Sequence, residues 1–199
     1  MNKLKVGVIG VGHLGKLHTK MFLQMNNCEL IGIYDSDIQK AEECNKEFGV
    51  KIFYNIEDLI KNVDAISIAT STSSHYEVAK LCMENGINIF IEKPITVTLA
   101  EAEEIVSIAN KNNLKLQVGH IERFNPALLA IEKYINNPMF IQTDRLSQFN
   151  PRGTDVAVVL DLMIHDIDII LNLIKSEVKQ IYASGVPVVS DSIDIANVR

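Results

Sequence analysis

Lys5-Val6-Gly7-Val8-Ile9-Gly10-Val11-Gly12-His13-Leu14-Gly15 decides the fold of this chain. Residues 5–9 are short and apolar and read as a strand, and a helix-period run opens behind the glycines. In this spacing Gly10 permits a tight turn and Gly12 lets the backbone approach a pyrophosphate. Gly15 lets the helix pack closely on the strand, while the helix N-terminus offers amide hydrogens and a positive dipole end. Glycine-rich turns are common, so the motif alone is weak. Asp35, however, ends the next strand-like run 20 residues past Gly15, where a carboxylate accepts ribose hydroxyls. Strand, glycines, helix, strand and acid in register predict dinucleotide binding. The Asp35 charge would repel a 2′-phosphate and Ser36-Asp37 brings no arginine, so NAD is expected over NADP. By position, His13 and His18 are expected to pack near this loop rather than to catalyse.

Outward from the loop, strand-like and helix-like runs alternate. Strands are expected at residues 5–9, 29–34, 50–54, 65–69, 88–92 and 115–119. Helices are expected at 14–25, 38–48, 56–61, 74–85, 99–112 and 126–136, and Thr98-Leu99-Ala100-Glu101 reads as a capping box. Short, continuous Val/Ile-rich strands signify a parallel sheet covered on both faces. The fold class is therefore α/β, a doubly wound Rossmann sheet over residues 1–120. After Pro138 the alternation stops. Residues 140–148 read as a strand, 149–153 as a loop, and 178–189 with 194–198 as strands of another, mainly antiparallel sheet. Residues 121–199 are thus expected to begin an α+β domain.

The totals exclude several classes. The 199 residues are 47% hydrophobic with a net charge of −6, and no basic stretch offsets that charge, which argues against nucleic acid or an anionic membrane as partner. No apolar run approaches the ~20 residues of a membrane span. The basic-then-apolar start is short and broken by glycine, so it reads as a first strand and not a signal peptide. Cys28, Cys44 and Cys82 are scattered without metal-ligand or CxxC spacing and read as reduced cytosolic thiols. No metal is implied.

Asp161-Leu162-Met163-Ile164-His165-Asp166-Ile167-Asp168-Ile169-Ile170-Leu171-Asn172 is an apolar helix-like run with one polar stripe. Asp161, His165, Asp168 and Asn172 recur at steps of four, three and four, within a stripe about 60° wide at about 100° per residue. Unpaired polar groups in a buried place cost roughly 1–3 kcal/mol each, so the stripe builds a buried network or lines a cleft. An imidazole between carboxylates points to proton transfer near neutral pH.

Phe90-Ile91-Glu92-Lys93-Pro94 places a lysine at the carboxyl edge of the sheet, where open α/β sheets bind ligands; the bland alternative is a solvated lysine before a turn. With this motif the chain resembles the glucose–fructose oxidoreductase, inositol dehydrogenase and rhizopine-catabolism family (Gfo/Idh/MocA) over essentially its whole length. The matching stretches are residues 7–15 with His18, Ala69-Thr70 with His75, Glu92-Lys93-Pro94, and the D-x-x-x-H segment from Asp161 to His165. The resemblance implies that Lys93 touches both nicotinamide and the reacting hydroxyl and that His165 is the general acid/base. Asp161 would line the same pocket. Gly10, Gly12, His13, Leu14, Gly15, Asp35, Thr70, His75, Glu92 and Lys93 would meet the cofactor, and the Lys93–Pro94 peptide is expected to be cis. Two departures stand out: Ser71 replaces the family's usual proline, and Val158-Val159 replace glycines common before the aspartate, which suggests a particular subgroup.

Residues 118–126 and 161–168 look most like sugar-nucleotide dehydrogenases of the UDP-N-acetylglucosamine 3-dehydrogenase type. Lys93, His120, Arg123, Asn125, Arg152, Asp161 and His165 are then candidate substrate residues, arginine's planar fork being suited to a diphosphate. Arg123, Asn125 and Arg152 read equally well as helix-start and loop residues without a ligand. The expected reaction moves a hydride from a sugar carbon to nicotinamide, on a small sugar or sugar-nucleotide substrate. Two alternatives are another polyol or sugar dehydrogenase of the inositol type, and a regulatory protein that binds NAD without catalysis; retention of Lys93, Asp161 and His165 argues for the enzyme. Family members continue with further strands beyond the residues matching 190–199, so either the sequence is a fragment or its second domain is curtailed, and the chain is expected to bind NAD but to be weak or inactive in catalysis. A homo-oligomer through the C-terminal sheet is expected of the full-length protein, in the cytoplasm. Asp168 and Asn172 are assigned to structural hydrogen bonds.

Overall fold

A computed structural model describes residues 3–147 and 157–199. The chain divides into two units, Met1–Gly119 and His120–Arg199. In the first unit, β1 (Leu4–Ile9), β2 (Cys28–Tyr34), β3 (Ala65–Ile68), β4 (Asn88–Ile91) and β5 (Leu116–Val118) form one sheet in the order β2-β1-β3-β4-β5. Every neighbouring pair is parallel. The chain leaves β1 toward one edge and returns to build from β3 toward the other. The switch between β1 and β3 opens a crevice at their carboxyl ends.

Alternation along β1 gives the sheet two cores. Val8 packs with Val11, Ile33, Ala41 and Cys44, beneath α1 (His13–Gln24) and α2 (Ile38–Phe48). Its neighbour Ile9 points to the opposite face and packs with residues of α3 (Ile56–Ile60), α4 (Thr72–Glu84) and α5 (Leu99–Lys111). The helix boundaries follow local chemistry. Asp37 caps α2 by accepting from the Gln39 N–H at 3.1 Å, and Gly49 ends it in the left-handed region at φ 69°. Thr98 and Glu101 form the expected reciprocal capping box on α5.

The strand expected at residues 50–54 is not a member of the sheet. Ile52 makes only an isolated parallel bridge to Ile33, held by Ile33 N–H to Lys51 O and Phe53 N–H to Ile33 O, both 2.9 Å. Asn55 ends the run at once by capping α3, accepting from the Glu57 N–H at 2.7 Å. The apolar residues there bury in the cores without extending a ladder, as Phe53 does at 7% exposure.

In the second unit a 3-10 turn (Ile121–Phe124) leads into α6 (Pro126–Glu132), shorter than the helix expected to residue 136. Residues 140–147 are not a strand, while Gln148 and the expected loop at 149–153 lie outside the described residues. Among the described residues no strand lies beside them: β6 (Ala183–Val186) and β7 (Ile195–Val198) pair with each other, antiparallel, in a two-stranded sheet. Between these two strands the Asp194 carboxylate accepts from the N–H groups of Ser190, Val188 and Val189, which hold it well below the usual carboxylate range. The striped run is a π-helical turn (Val159–Met163) continued by α7 (Ile164–Leu173), so Asp161 and His165 sit on different helix types.

Candidate active site

The glycine loop has the geometry its spacing predicts. Gly10 stands at φ 82°, and a Cβ there would lie 2.7 Å from the Thr70 nitrogen, so only glycine lets the ends of β1 and β3 come this close. A Cβ on Gly15 would lie 1.8 Å from the Gly10 oxygen, the close helix-on-strand contact. Gly12, the N-cap of α1, has nothing within 4 Å of an added Cβ, and no side chain caps the helix there. Its backbone therefore faces open space at a helix N-terminus, which fits a pyrophosphate. His13 and Leu14 follow as exposed residues of the first turn, so His13 does not pack against the loop as expected.

Asp35 closes the loop from below. One carboxylate oxygen accepts from the Val11 N–H at 2.8 Å and the other from the Asp37 N–H at 2.9 Å. A carboxylate has about four lone-pair sites, so each oxygen retains one for a ribose hydroxyl. The residues present fit NAD. Among the described residues no group of three His, Cys, Asp or Glu side chains could hold a metal ion.

At the carboxyl end of β4, Glu92 and half-buried Lys93 follow the strand, and the Lys93–Pro94 peptide is cis. Glu92 lies 3.0 Å from His18 Nε2, and the other ring nitrogen of His18 meets the Ser67 hydroxyl at 2.8 Å. Glu92 also accepts from the Lys93 N–H at 3.3 Å. Burial raises the Glu92 pKa, but the hydrogen bond and charge of His18, with the Lys93 N–H and ammonium, outweigh it and leave the carboxyl below its ordinary value. His75, in the first turn of α4, meets the Pro94 carbonyl at 2.8 Å and the Thr70 carbonyl at 3.2 Å. The loops after β1, β3 and β4 are thus tied together.

In the second unit, Asp161 lies in the π turn and His165 is the second residue of α7, both half-buried. Arg123 forks onto Asp168 through Nε and Nη2 at 2.6 and 2.5 Å, and His120 Nδ1 lies 3.8 Å from the same carboxylate, beyond hydrogen-bond reach. Arg123 holds the Asp168 carboxyl below its usual range. Asn125 caps α6 by accepting from the Ala127 N–H at 3.0 Å, and its amide donates to Glu122 at 3.2 Å. Arg123 and Asn125, expected at the substrate, therefore bind within the chain. Arg152 lies outside the described residues. Asp166 was not singled out by its spacing, yet it is buried and forks with Arg145 at 2.7 and 3.1 Å. The signal existed: an acid off the polar stripe of a buried helix needs a cation, and Arg145 stands upstream.

The family model described as "Oxidoreductase family, NAD-binding Rossmann fold" matches residues 4–120. The chain belongs to the Gfo/Idh/MocA family. The UDP-N-acetylglucosamine 3-dehydrogenase of Acidithiobacillus ferrooxidans is 37% identical to this Gfo/Idh/MocA chain over 197 residues, which is 98% of this chain and 62% of that protein. Its solved structure superposes with a TM-score of 0.91, covering 100% of this chain and 65% of that one. The myo-inositol 2-dehydrogenase of Thermotoga maritima is 25% identical over 96% of this chain and 60% of its own length. The chain spans about three-fifths of the length of these curated relatives. Its NAD-binding Rossmann domain is the part the family model covers.

Proposed function

We propose that this chain carries the cofactor domain and part of the substrate domain of an NAD-dependent dehydrogenase. Its substrate is a sugar hydroxyl, most specifically the 3-hydroxyl of UDP-N-acetylglucosamine or a related nucleotide sugar. One observation carries the reading: Lys93, Asp161 and His165 are all present in a chain 37% identical, over 98% of its length, to a protein named as that dehydrogenase. The inositol dehydrogenases match at lower identity, which makes a polyol substrate the lesser reading.

Bound NAD supplies the acceptor for the hydride that leaves the sugar carbon. His165 takes the hydroxyl proton on an imidazole nitrogen, a group suited to pH 7. The Lys93 ammonium donates to the oxygen as it becomes an alkoxide and stabilises the developing charge. Asp161 orients the sugar or the imidazole. Asp35 accepts the adenosine ribose hydroxyls and disfavours a 2′-phosphate. His120 remains a candidate at the sugar. The exposed β6–β7 sheet supports assembly of like chains. No helix among the described residues is long and apolar enough to cross a membrane, and Cys28, Cys44 and Cys82 are free and buried, which supports a cytoplasmic setting.

The test is absorbance at 340 nm on adding NAD and UDP-N-acetylglucosamine, beside a panel of UDP-sugars and inositols. Lys93→Met should lower kcat about 10²–10³-fold. His165→Ala should lower it about 10²–10⁴-fold, and both variants should still bind NAD. Binding of NAD without reduction on any sugar, by the protein with a complete second domain, would favour the regulatory alternative, and full turnover by either variant would remove its residue from the mechanism.

A further inference from the structure

His75 is 1% exposed, and both of its ring nitrogens face main-chain carbonyl oxygens. A carbonyl only accepts, so the 2.8 Å contact with Pro94 is made by an Nδ1–H group. The 3.2 Å contact with Thr70 is a hydrogen bond whenever Nε2 carries a hydrogen as well. The polar capacity of the ring is therefore directed into the protein, and no polar atom is left for a ligand. This is not the arrangement of a residue that touches the cofactor, the role its resemblance implied.

The two carbonyls belong to functionally placed segments. Pro94 is the residue after Lys93, and Thr70 packs its backbone nitrogen against Gly10 of the glycine loop. On the other side of Lys93, His18 from α1 holds Glu92 at 3.0 Å. Histidines from two helices that cover opposite faces of the sheet thus flank Lys93: His75 meets the main chain after it, and His18 holds the Glu92 carboxylate that accepts from the Lys93 N–H. We propose that His75 is a positioning residue for Lys93: by donating from Nδ1 to the Pro94 carbonyl it fixes where the lysine main chain stands relative to the dinucleotide loop. The inference rests on the reading of Lys93 as the residue that meets the reacting hydroxyl.

Amide isosteres separate the two nitrogens. The side-chain nitrogen of asparagine falls where Nδ1 stands and that of glutamine where Nε2 stands. His75→Asn should keep the Pro94 bond, while His75→Gln and His75→Ala should lose it. The direct readout is the Lys93 signal in the carbon-13 spectrum of protein with ¹³C-dimethylated lysines, assigned by its loss in Lys93→Arg. His75→Asn should leave that signal in place, and His75→Gln should shift it. Where the chain turns over, His75→Gln should cut kcat about 10- to 100-fold, in line with misplacement by about 1 Å, with KM for NAD changed less than about threefold. His75→Asn should stay within about threefold of wild type on both constants.

A Lys93 signal unmoved in His75→Gln overturns the proposal, as does loss of NADH affinity in His75→Asn, which would make the ring a cofactor contact. If the glutamine variant fails to fold, the wild-type ring decides: long-range ¹H–¹⁵N spectra must place a hydrogen on Nδ1, and a hydrogen on Nε2 alone overturns the proposal. These spectra need no turnover. Failure of the protein with a complete second domain to oxidise any sugar would therefore sink the functional reading, while the Lys93 signal still decides the role of His75.

Discussion

Gly12 and Gly15 stand three residues apart, and the same added methyl group should do opposite things at each. At Gly15 the new Cβ would collide with the Gly10 carbonyl at 1.8 Å, so backbone has to move. Gly15→Ala should destabilise the chain by about 3 kcal/mol, at the upper end of overpacking costs. At Gly12 the Cβ meets nothing within 4 Å, so Gly12→Ala should cost no more than about 1 kcal/mol of capping preference. It should nevertheless weaken NADH binding, because the methyl group occupies the space through which the backbone faces the pyrophosphate. Thermal unfolding and NADH fluorescence titration together check the pair; a Gly12 variant that binds normally would move the pyrophosphate elsewhere. At the same scale, Asp168 is buried beneath a half-exposed Arg123. Asp168→Asn should destabilise by about 1–2 kcal/mol at pH 7, a charged hydrogen-bond pair discounted for solvent screening on the arginine side. Because the folded carboxyl is held below its ordinary value, this contribution is complete above the unfolded pKa, near about 4, and is lost as pH falls through the depressed value. Denaturant midpoints of wild type and variant should stay apart at pH 7 and converge as the pH falls below the ordinary aspartate value, near about 4. A gap that persists in acid would mean that packing, not the charge pair, is responsible.

The helical elements were legible where a local chemical signal marks them. Thr98 and Glu101 announced α5, and the side chain and backbone bonds both form. Thr98→Ala should therefore cost about 1 kcal/mol, with little change on Glu101→Ala beyond a few tenths. Hydrogen exchange localised to the first turn of α5 would check it. The parallel doubly wound sheet and the first-domain helices were likewise readable, since glycine spacing and continuous apolar strands suffice for them, while the cis peptide at Pro94 was expected only from the family resemblance. Residues 50–54 misled because burial and sheet pairing write the same apolar pattern. Phe53 is buried without a ladder. Residues 140–147 misled for the related reason that a strand needs a neighbour, which periodicity does not reveal. The tie of His75 to two carbonyls was invisible because main-chain acceptors leave no trace in side-chain spacing. Asp168 was read correctly as structural. Its partner Arg123 was left open between the substrate and the start of a helix, because spacing brings out one helix face at a time.

At the scale of the whole molecule the two units differ in how their apolar surface is covered. The five-stranded sheet has a core on each face, whereas every residue of β6 is exposed, and so are Ile181 at 67%, Val188 at 63%, Val189 at 67% and Ile195 at 58%. An isolated two-stranded sheet is marginal in water, and its outer strands present unpaired N–H and C=O groups to any chain that can extend them. Apolar side chains beside such edges add a driving force of about 25 cal/mol per Å² covered. Surface of this kind is resolved by association, and a like copy offers the same strands in the same register. The chain should therefore self-associate as its concentration rises, through the second unit. Sedimentation velocity across the micromolar range should show a shift to larger species. Val188→Glu with Ile195→Lys should abolish it, since each buries a charge if the interface forms and costs little if it does not. The substitutions lie outside the Rossmann unit, so NADH affinity should be unchanged, which separates lost association from lost fold. A wild-type chain that sediments as a monomer throughout would mean that this sheet is stable in water as it stands, and the proposed assembly surface would have to be withdrawn.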